Sequence, residues 1–200
     1  MDVKSKTPLK KLILFISAAL IITACGNNHD YSPKPRGYYR IVFPEKAYQP
    51  YVSGAPFTFE YPKYAVMEPD KKPDAKPYWL NMQFPQFNGT LHLSYEHIAS
   101  KKEFDLLIED AHKLSFKHTV KATGIDEGII RYPENKVYGV YYTIDGNAAS
   151  SVQFYLTDST KNYIRGALYF QSEPKLDSIQ PVLNFVKKDV DTMIKSFRWK

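Results

Sequence analysis

One cysteine in 200 residues, Cys25, constrains this chain more than any other feature of its sequence. A lone thiol excludes an internal disulfide, a CxxC redox pair and a cysteine-rich zinc site. The length allows one domain of ordinary size. With 44% hydrophobic and 24% charged residues the chain has the composition of a folded protein, and wholesale disorder is excluded.

The position of Cys25 says more than its solitude. Lys4, Lys6, Lys10 and Lys11 precede a 13-residue apolar run, residues 12–24, that ends against it. Such a run is shorter than the roughly 20 residues a membrane-spanning helix needs, and with its basic flank it reads as a secretory signal peptide. Ile22-Thr23-Ala24-Cys25 looks like a bacterial lipobox: aliphatic, small, small, Cys. The expectation is diacylglyceryl transfer to the Cys25 thiol, cleavage before it and acylation of the new amino terminus. A thiolate is the nucleophile of the first step, so no other residue type serves. Two or three acyl chains would hold the protein at a membrane far more firmly than one.

Removing that leader takes away four lysines and one aspartate, so the formal charge falls from +6 to +3 over a mature chain of 176 residues. The lysine pairs 71–72, 101–102 and 187–188 are isolated, and a clustered basic face for nucleic acid is missing from the pattern.

Ten of the 13 mature prolines lie between Pro33 and Pro85. Residues 25–56 are therefore expected as a lipidated cysteine followed by an extended tether. Yet the tether carries Tyr38, Tyr39, Ile41, Phe43, Tyr48 and Tyr51, too apolar for a solvated linker. It either lies in a groove of its own domain or docks on a partner. Tyr38, Tyr39, Arg40, Tyr48 and Tyr51 are the candidate interaction surface, since Tyr combines contact area with a polar tip.

Residues 57–200 read as a single α+β domain, an antiparallel sheet covered by two amphipathic helices. Phe57, Phe59 and Tyr61 alternate with polar residues. Residues 78–84 and 91–98 flank Asn88-Gly89, a pair that supplies the positive φ angles of a tight hairpin. Residues 129–132, 137–144, 152–156 and 162–170 complete the strands, separated by Pro133–Lys136 and by Asp145-Gly146. The first helix is expected over residues 103–121, with Phe104, Leu107, Ile108, Ala111 and Leu114 on one face and Glu109, Lys113 and Lys117 on the other. The second runs through Ile179, Val182, Leu183, Val186, Val190, Met193, Ile194 and Phe197. Asp177 or Ser178 is expected to cap it, Pro181 to sit in its first turn, and Lys187, Lys188, Asp189, Asp191 and Lys195 to form its polar face.

Signals for chemistry are weak. Glu109 and His112 form an E-x-x-H, half of a metal site with no matching second pair. His118 continues the apolar stripe of its helix and reads as a hydrogen-bonded core or edge histidine. Ser150 and Ser151 lie in neither a G-x-S-x-G elbow nor an S-x-x-K, and read as loop residues. No glycine loop for phosphate is present. The residues point to no metal, no cofactor and no enzyme, and Glu109, His112 and Ser151 are what an envelope hydrolase would have to use.

Longer motifs carry a family resemblance. Ser32-Pro-Lys-Pro-Arg-Gly-Tyr-Tyr-Arg40, Phe43-Pro-Glu-Lys-Ala-Tyr48, Gly89-Thr-Leu-His-Leu-Ser-Tyr95, Asp145-Gly-Asn-Ala-Ala-Ser-Ser151 and Arg165-Gly-Ala-Leu-Tyr-Phe170 resemble the GldD family of gliding motility lipoproteins of the Bacteroidota. The resemblance covers almost the whole mature chain. It implies a membrane-anchored periplasmic protein needed for surface gliding and for type IX secretion, and transfers no catalytic residue. The order of strands and the closing helix are also weakly similar to the PsbP/Mog1-like fold, an analogy that says nothing of activity.

The resulting expectation is a non-enzymatic accessory or scaffold whose partners are other gliding or type IX secretion envelope proteins. The alternative is a glycan- or peptidoglycan-binding protein or hydrolase. Gly26, next to the lipidated residue, and a lone Asp30 favour the periplasmic face of the outer membrane, with the inner membrane second.

Overall fold

The structure, a computed structural model, describes residues 40–171 and 176–200, and of residues 176–178 the backbone alone. Its centre is a seven-stranded sheet in the order β4-β5-β6-β10-β9-β8-β7. These strands are β4 (Val66–Pro69), β5 (Leu80–Phe84), β6 (Gly89–His97), β7 (Ala122–Tyr132), β8 (Val137–Gly146), β9 (Ser150–Thr157) and β10 (Asn162–Phe170). Every neighbouring pair is antiparallel. The chain lays down one meander, β4 to β6, and then a second, β7 to β10, and the two join where β10 pairs with β6. Helix α1 (Lys101–Phe116) connects them, and α2 (Leu176–Ser196) follows β10. The fold is α+β, as the sequence pattern requires.

Successive strand residues point to opposite faces, so one sheet can serve two cores. Val152, Phe154 and Leu156 of β9 join Ile164, Leu168, Leu93 and Phe84 under Val186, Val190 and Met193 of α2. Tyr155, from the same strand, joins Tyr142, Ile144 and Tyr163 under Phe104, Leu107, Ile108 and Ala111 of α1. All eight residues of β9 are buried as a result. Gly166 fits this packing because a Cβ there would lie 2.2 Å from the ring of Phe154.

The hairpins differ from the two-residue turn that Asn88-Gly89 predicts. Phe84 faces Gly89 across a four-residue turn, Pro85 to Asn88, in which Asn88 alone takes a positive φ of 51°. Gly89 is already in β6, and its missing Cβ leaves room for the Phe170 ring 2.8 Å away. The second hairpin repeats this geometry. Tyr132 faces Val137 across Pro133–Lys136, and Lys136 has a φ of 53°. Proline sets the first turn residue, and the amides of Asn88 and Lys136 bond back to the proline carbonyls.

Helix α1 starts at Ser100, whose Oγ accepts the amide of Glu103, while Glu103 reaches back to the amide of Ala99. It ends at Phe116, earlier than the 121 expected, and tightens into a 3-10 turn over Lys117–Val120. The β-branched Thr119 and Val120 favour that exit, and Thr119 caps the Phe116 carbonyl. Helix α2 begins at Leu176, which puts Pro181 inside the helix rather than in its first turn. The capping side chains expected at Asp177 and Ser178 lie outside the described residues. Ser150 and Ser151, read as loop, open β9 and are buried.

The segment before Phe57 is part of the compact unit, which runs from Arg40 to Lys200. Strand β1 (Tyr48–Pro50) pairs with β3 (Glu60–Pro62). Strand β2 (Phe57–Thr58) pairs with β11 (Arg198–Trp199) at the far end of the chain. Phe57, Phe59 and Phe197 stack on one another, and Tyr51 lies on Phe59 at 5.2 Å. Residues 40–56, expected as tether, are therefore built into the domain. The stack places its phenylalanine rings in the same core as α2, and about 1.5–3 kcal/mol per buried phenylalanine is reason enough for the chain to fold back.

Candidate functional site

Two clusters of polar and aromatic side chains stand out. The first is built on Asp189. Residues three and four apart share a helix face, and Asp189 lies three after Val186 and four before Met193, both in the core. Its carboxylate is consequently buried, 1% exposed, rather than on the solvated face that neighbouring Lys187 and Lys188 imply.

That carboxylate is saturated by the N-terminal segment together with Tyr64, which lies between β3 and β4. Tyr48 donates its hydroxyl to Oδ1 at 2.8 Å, Tyr64 donates to Oδ2, and Lys46 Nζ pairs with Oδ2 at 2.6 Å. Lys46 also donates to the Phe185 carbonyl at 2.9 Å and sits 3.4 Å over the Phe185 ring. Burial lowers the Lys46 pKa against the pull of Asp189. Burial raises both phenols and the Asp189 bond adds to it, against a Thr192 bond to Tyr48, and the net rise keeps them as donors. Phe43 completes the contact by stacking on Phe185 at 4.5 Å. These groups satisfy one another, so the cluster acts as a clasp that fixes residues 43–51 to α2.

The second cluster lines an open depression of about 500 Å³ formed by Gly54, Pro56, Lys76, Pro77, Tyr78, Tyr95, Glu96 and His97. Tyr78 is 44% exposed and has a φ of 65°, a conformation that aromatic residues rarely take. Its ring meets Tyr95 edge-on at 5.8 Å. The Lys76–Glu96 ion pair, 2.9 Å, lies on the rim. Behind the wall, Tyr95 donates to Asn162 at 2.7 Å and Asn162 donates to Asp158 at 2.8 Å. The Trp79 indole N–H bonds the Tyr95 carbonyl. Exposed Tyr78 beside an ion pair can receive a flat ring on its face and a hydroxyl or charge at its edge.

Asp158 organises this wall by accepting the amides of Thr160, Lys161 and Asn162. Burial pushes its carboxyl up, but those bonds hold it below the ordinary carboxylate range. A depressed pKa contributes stability that is fully present above the unfolded value, about 3.9, and is lost as the pH falls from there through the lower folded-state value. Asp158→Ala is expected to destabilise by about 1 kcal/mol at pH 7 and by less near pH 2. Thermal unfolding of the two proteins at both pH values checks this.

The residues singled out in the sequence separate into groups. Cys25, Tyr38 and Tyr39 lie outside the described residues. Arg40 is exposed at the start of the unit. Tyr48 and Tyr51 are half-buried and spend their contacts on Asp189 and on the Phe57–Phe59 stack. Glu109 pairs with Lys113 at 2.6 Å. His112 stacks on Phe116 and approaches Glu127 at 3.6 Å. Ser151 is buried in β9. Each has its own neighbours, and the structure does not assemble them into one site. His118 is half-buried, its pKa lowered by burial and then by Arg165. Among the described residues no three His, Cys, Asp or Glu side chains group as metal ligands. Asp189, whose buried carboxylate takes two hydroxyls and an ammonium, is hidden in the sequence by its lysine neighbours, and helical phase is the signal that could have found it.

A solution structure of cyanobacterial PsbP (CyanoP) from Synechocystis is similar over 78% of this chain and 95% of its own, with 12% identity and a TM-score of 0.47. No curated protein matches the chain. The model of the family described as gliding motility lipoprotein GldD matches residues 28–199. That match spans the clasp, the depression and both cores, and the chain belongs to the GldD family of gliding motility lipoproteins.

Proposed function

We propose that the protein is a non-enzymatic accessory or scaffold of gliding motility and type IX secretion, anchored through lipidated Cys25 and facing the periplasm. The outer membrane is the favoured site, the inner membrane the second. Family membership supports the setting, and the observation that carries the scaffold reading is the clasp. A domain that binds its own N-terminal segment through a buried ion pair and aromatic stacks is suited to bearing load between an anchor and a partner. With Tyr48 and Tyr51 engaged inside the domain, Tyr38, Tyr39 and Arg40 remain of the five candidate contacts for other envelope proteins.

Cys25→Ala is expected to release the protein from membranes and abolish palmitate labelling. Tyr38→Ala with Tyr39→Ala is expected to impair gliding and secretion while the domain stays folded. Normal gliding and secretion in that double mutant would overturn the reading. A second reading, an envelope glycan or peptidoglycan binder, rests on the Tyr78 depression. Tyr78→Ala should leave gliding intact under the first reading and abolish it under the second.

A further inference from the structure

Among the described residues, strand β7 is the outermost strand of the central sheet and pairs on one side only, with β8. Every second residue of such a strand turns its N–H and C=O away from the sheet, a template for another strand. The opposite edge, β4, is blunted, being four residues long and ending in Pro69. β7 has 11 residues, with no proline and no lysine among them. Four consecutive residues, Asp126 to Ile129, are exposed, and Ile129 is 87% exposed.

Glu127, Ile129 and Arg131 share the face of the sheet that carries α1, opposite Tyr142, Val140 and Tyr138 of β8. We propose that β7 pairs antiparallel with β7 of a second copy, centred on Ile129, giving a continuous sheet across a twofold axis. An axis perpendicular to the sheet preserves its faces, so residues that meet must have the same parity. Centring on Ile129 brings the two exposed isoleucines together. It sets Glu127 opposite Arg131 of the second copy, and by symmetry Arg131 opposite its Glu127. Centring on Gly128 or Ile130 leaves these charges without opposite partners, and centring on Asp126 or Glu127 sets like charges face to face. On the other face the same register sets Gly128 opposite Ile130 of the second copy. A Cβ at Gly128 would have only ordinary contacts, so the position is not filled from within. His112 approaches Glu127 at 3.6 Å, and both side chains are about half exposed, which leaves the carboxylate free to turn.

The full chain, extracted in detergent, is expected to sediment as a dimer. Glu127→Arg and Arg131→Glu should each replace two attractive cross-strand pairs by two repulsive ones and raise the dimer dissociation constant roughly 10- to 100-fold. Mixing these two variants sets a copy with arginine at both positions against a copy with glutamate at both. Attraction returns at each pair and the dimer should be restored, as it should with both substitutions in one chain. Circular dichroism of each variant keeps loss of folding apart from loss of pairing. A monomeric wild-type chain, a 1:1 complex with another protein's strand, single variants that remain dimeric, or folded variants that stay monomeric on mixing would overturn the proposal.

Discussion

Asp189→Ala is expected to destabilise the domain by about 3 kcal/mol and to free the segment around Lys46 and Tyr48 from α2. The carboxylate is fully buried and holds one ammonium and two phenols, so its removal leaves three donors without their acceptor. Breaking a buried pair from one side costs about 3–5 kcal/mol. The lower end applies because the Lys46 side chain is 27% exposed and can turn to water. Limited proteolysis should then cut residues 40–56 well before the rest of the domain opens. Asp189→Asn keeps one acceptor oxygen, puts an amide donor in place of the other and loses the charge, so it should fall between Ala and wild type. An Asp189→Ala protein as resistant as wild type would show that the aromatic stacks alone hold the segment.

A larger local clash is expected from Gly139→Val. Gly139 lies in β8 opposite Leu156 of β9, and a Cβ there would come 1.8 Å from the Tyr155 carbonyl oxygen. The obstacle is the backbone of a hydrogen-bonded neighbouring strand, so relief requires β8 and β9 to separate. Overpacking of this kind costs about 3 kcal/mol or more, which for a domain this size lowers Tm by roughly 10 °C. Gly54→Ala is the control, since nothing lies within 4 Å of its Cβ position, and it is expected to be neutral or slightly stabilising.

Where a pattern is local, the chain can be read directly. β10 occupies 162–170 as expected, because dense apolar residues bounded by turns leave one choice, and the stripe of α2 from Val182 to Ile194 follows from helical spacing. β7 is legible only in its last four residues. Its first seven, Ala-Thr-Gly-Ile-Asp-Glu-Gly, carry two glycines and two acids and are held as strand by β8 alone, which an edge permits. Asn88-Gly89 reads as two turn residues because both types accept positive φ, but the proline at position 85 sets a longer turn.

Cys25, alone at the end of an apolar run, fixed the one covalent site expected of this protein, since lipobox chemistry needs only contiguous residues. The periods of the strands and helices fixed the fold class for the same reason: each is dictated by neighbours along the chain. Which faces meet was decided only by assembly. Asp189 found Tyr64 and Tyr48 across 125 and 141 residues, and that closure turned an apparent solvated patch into a buried clasp and an apparent tether into part of the domain. A strand pattern likewise cannot say whether it will lie in the middle of a sheet or at its rim. The order of seven strands made β7 an edge, and so gave its Glu127, Ile129 and Arg131 a surface to present.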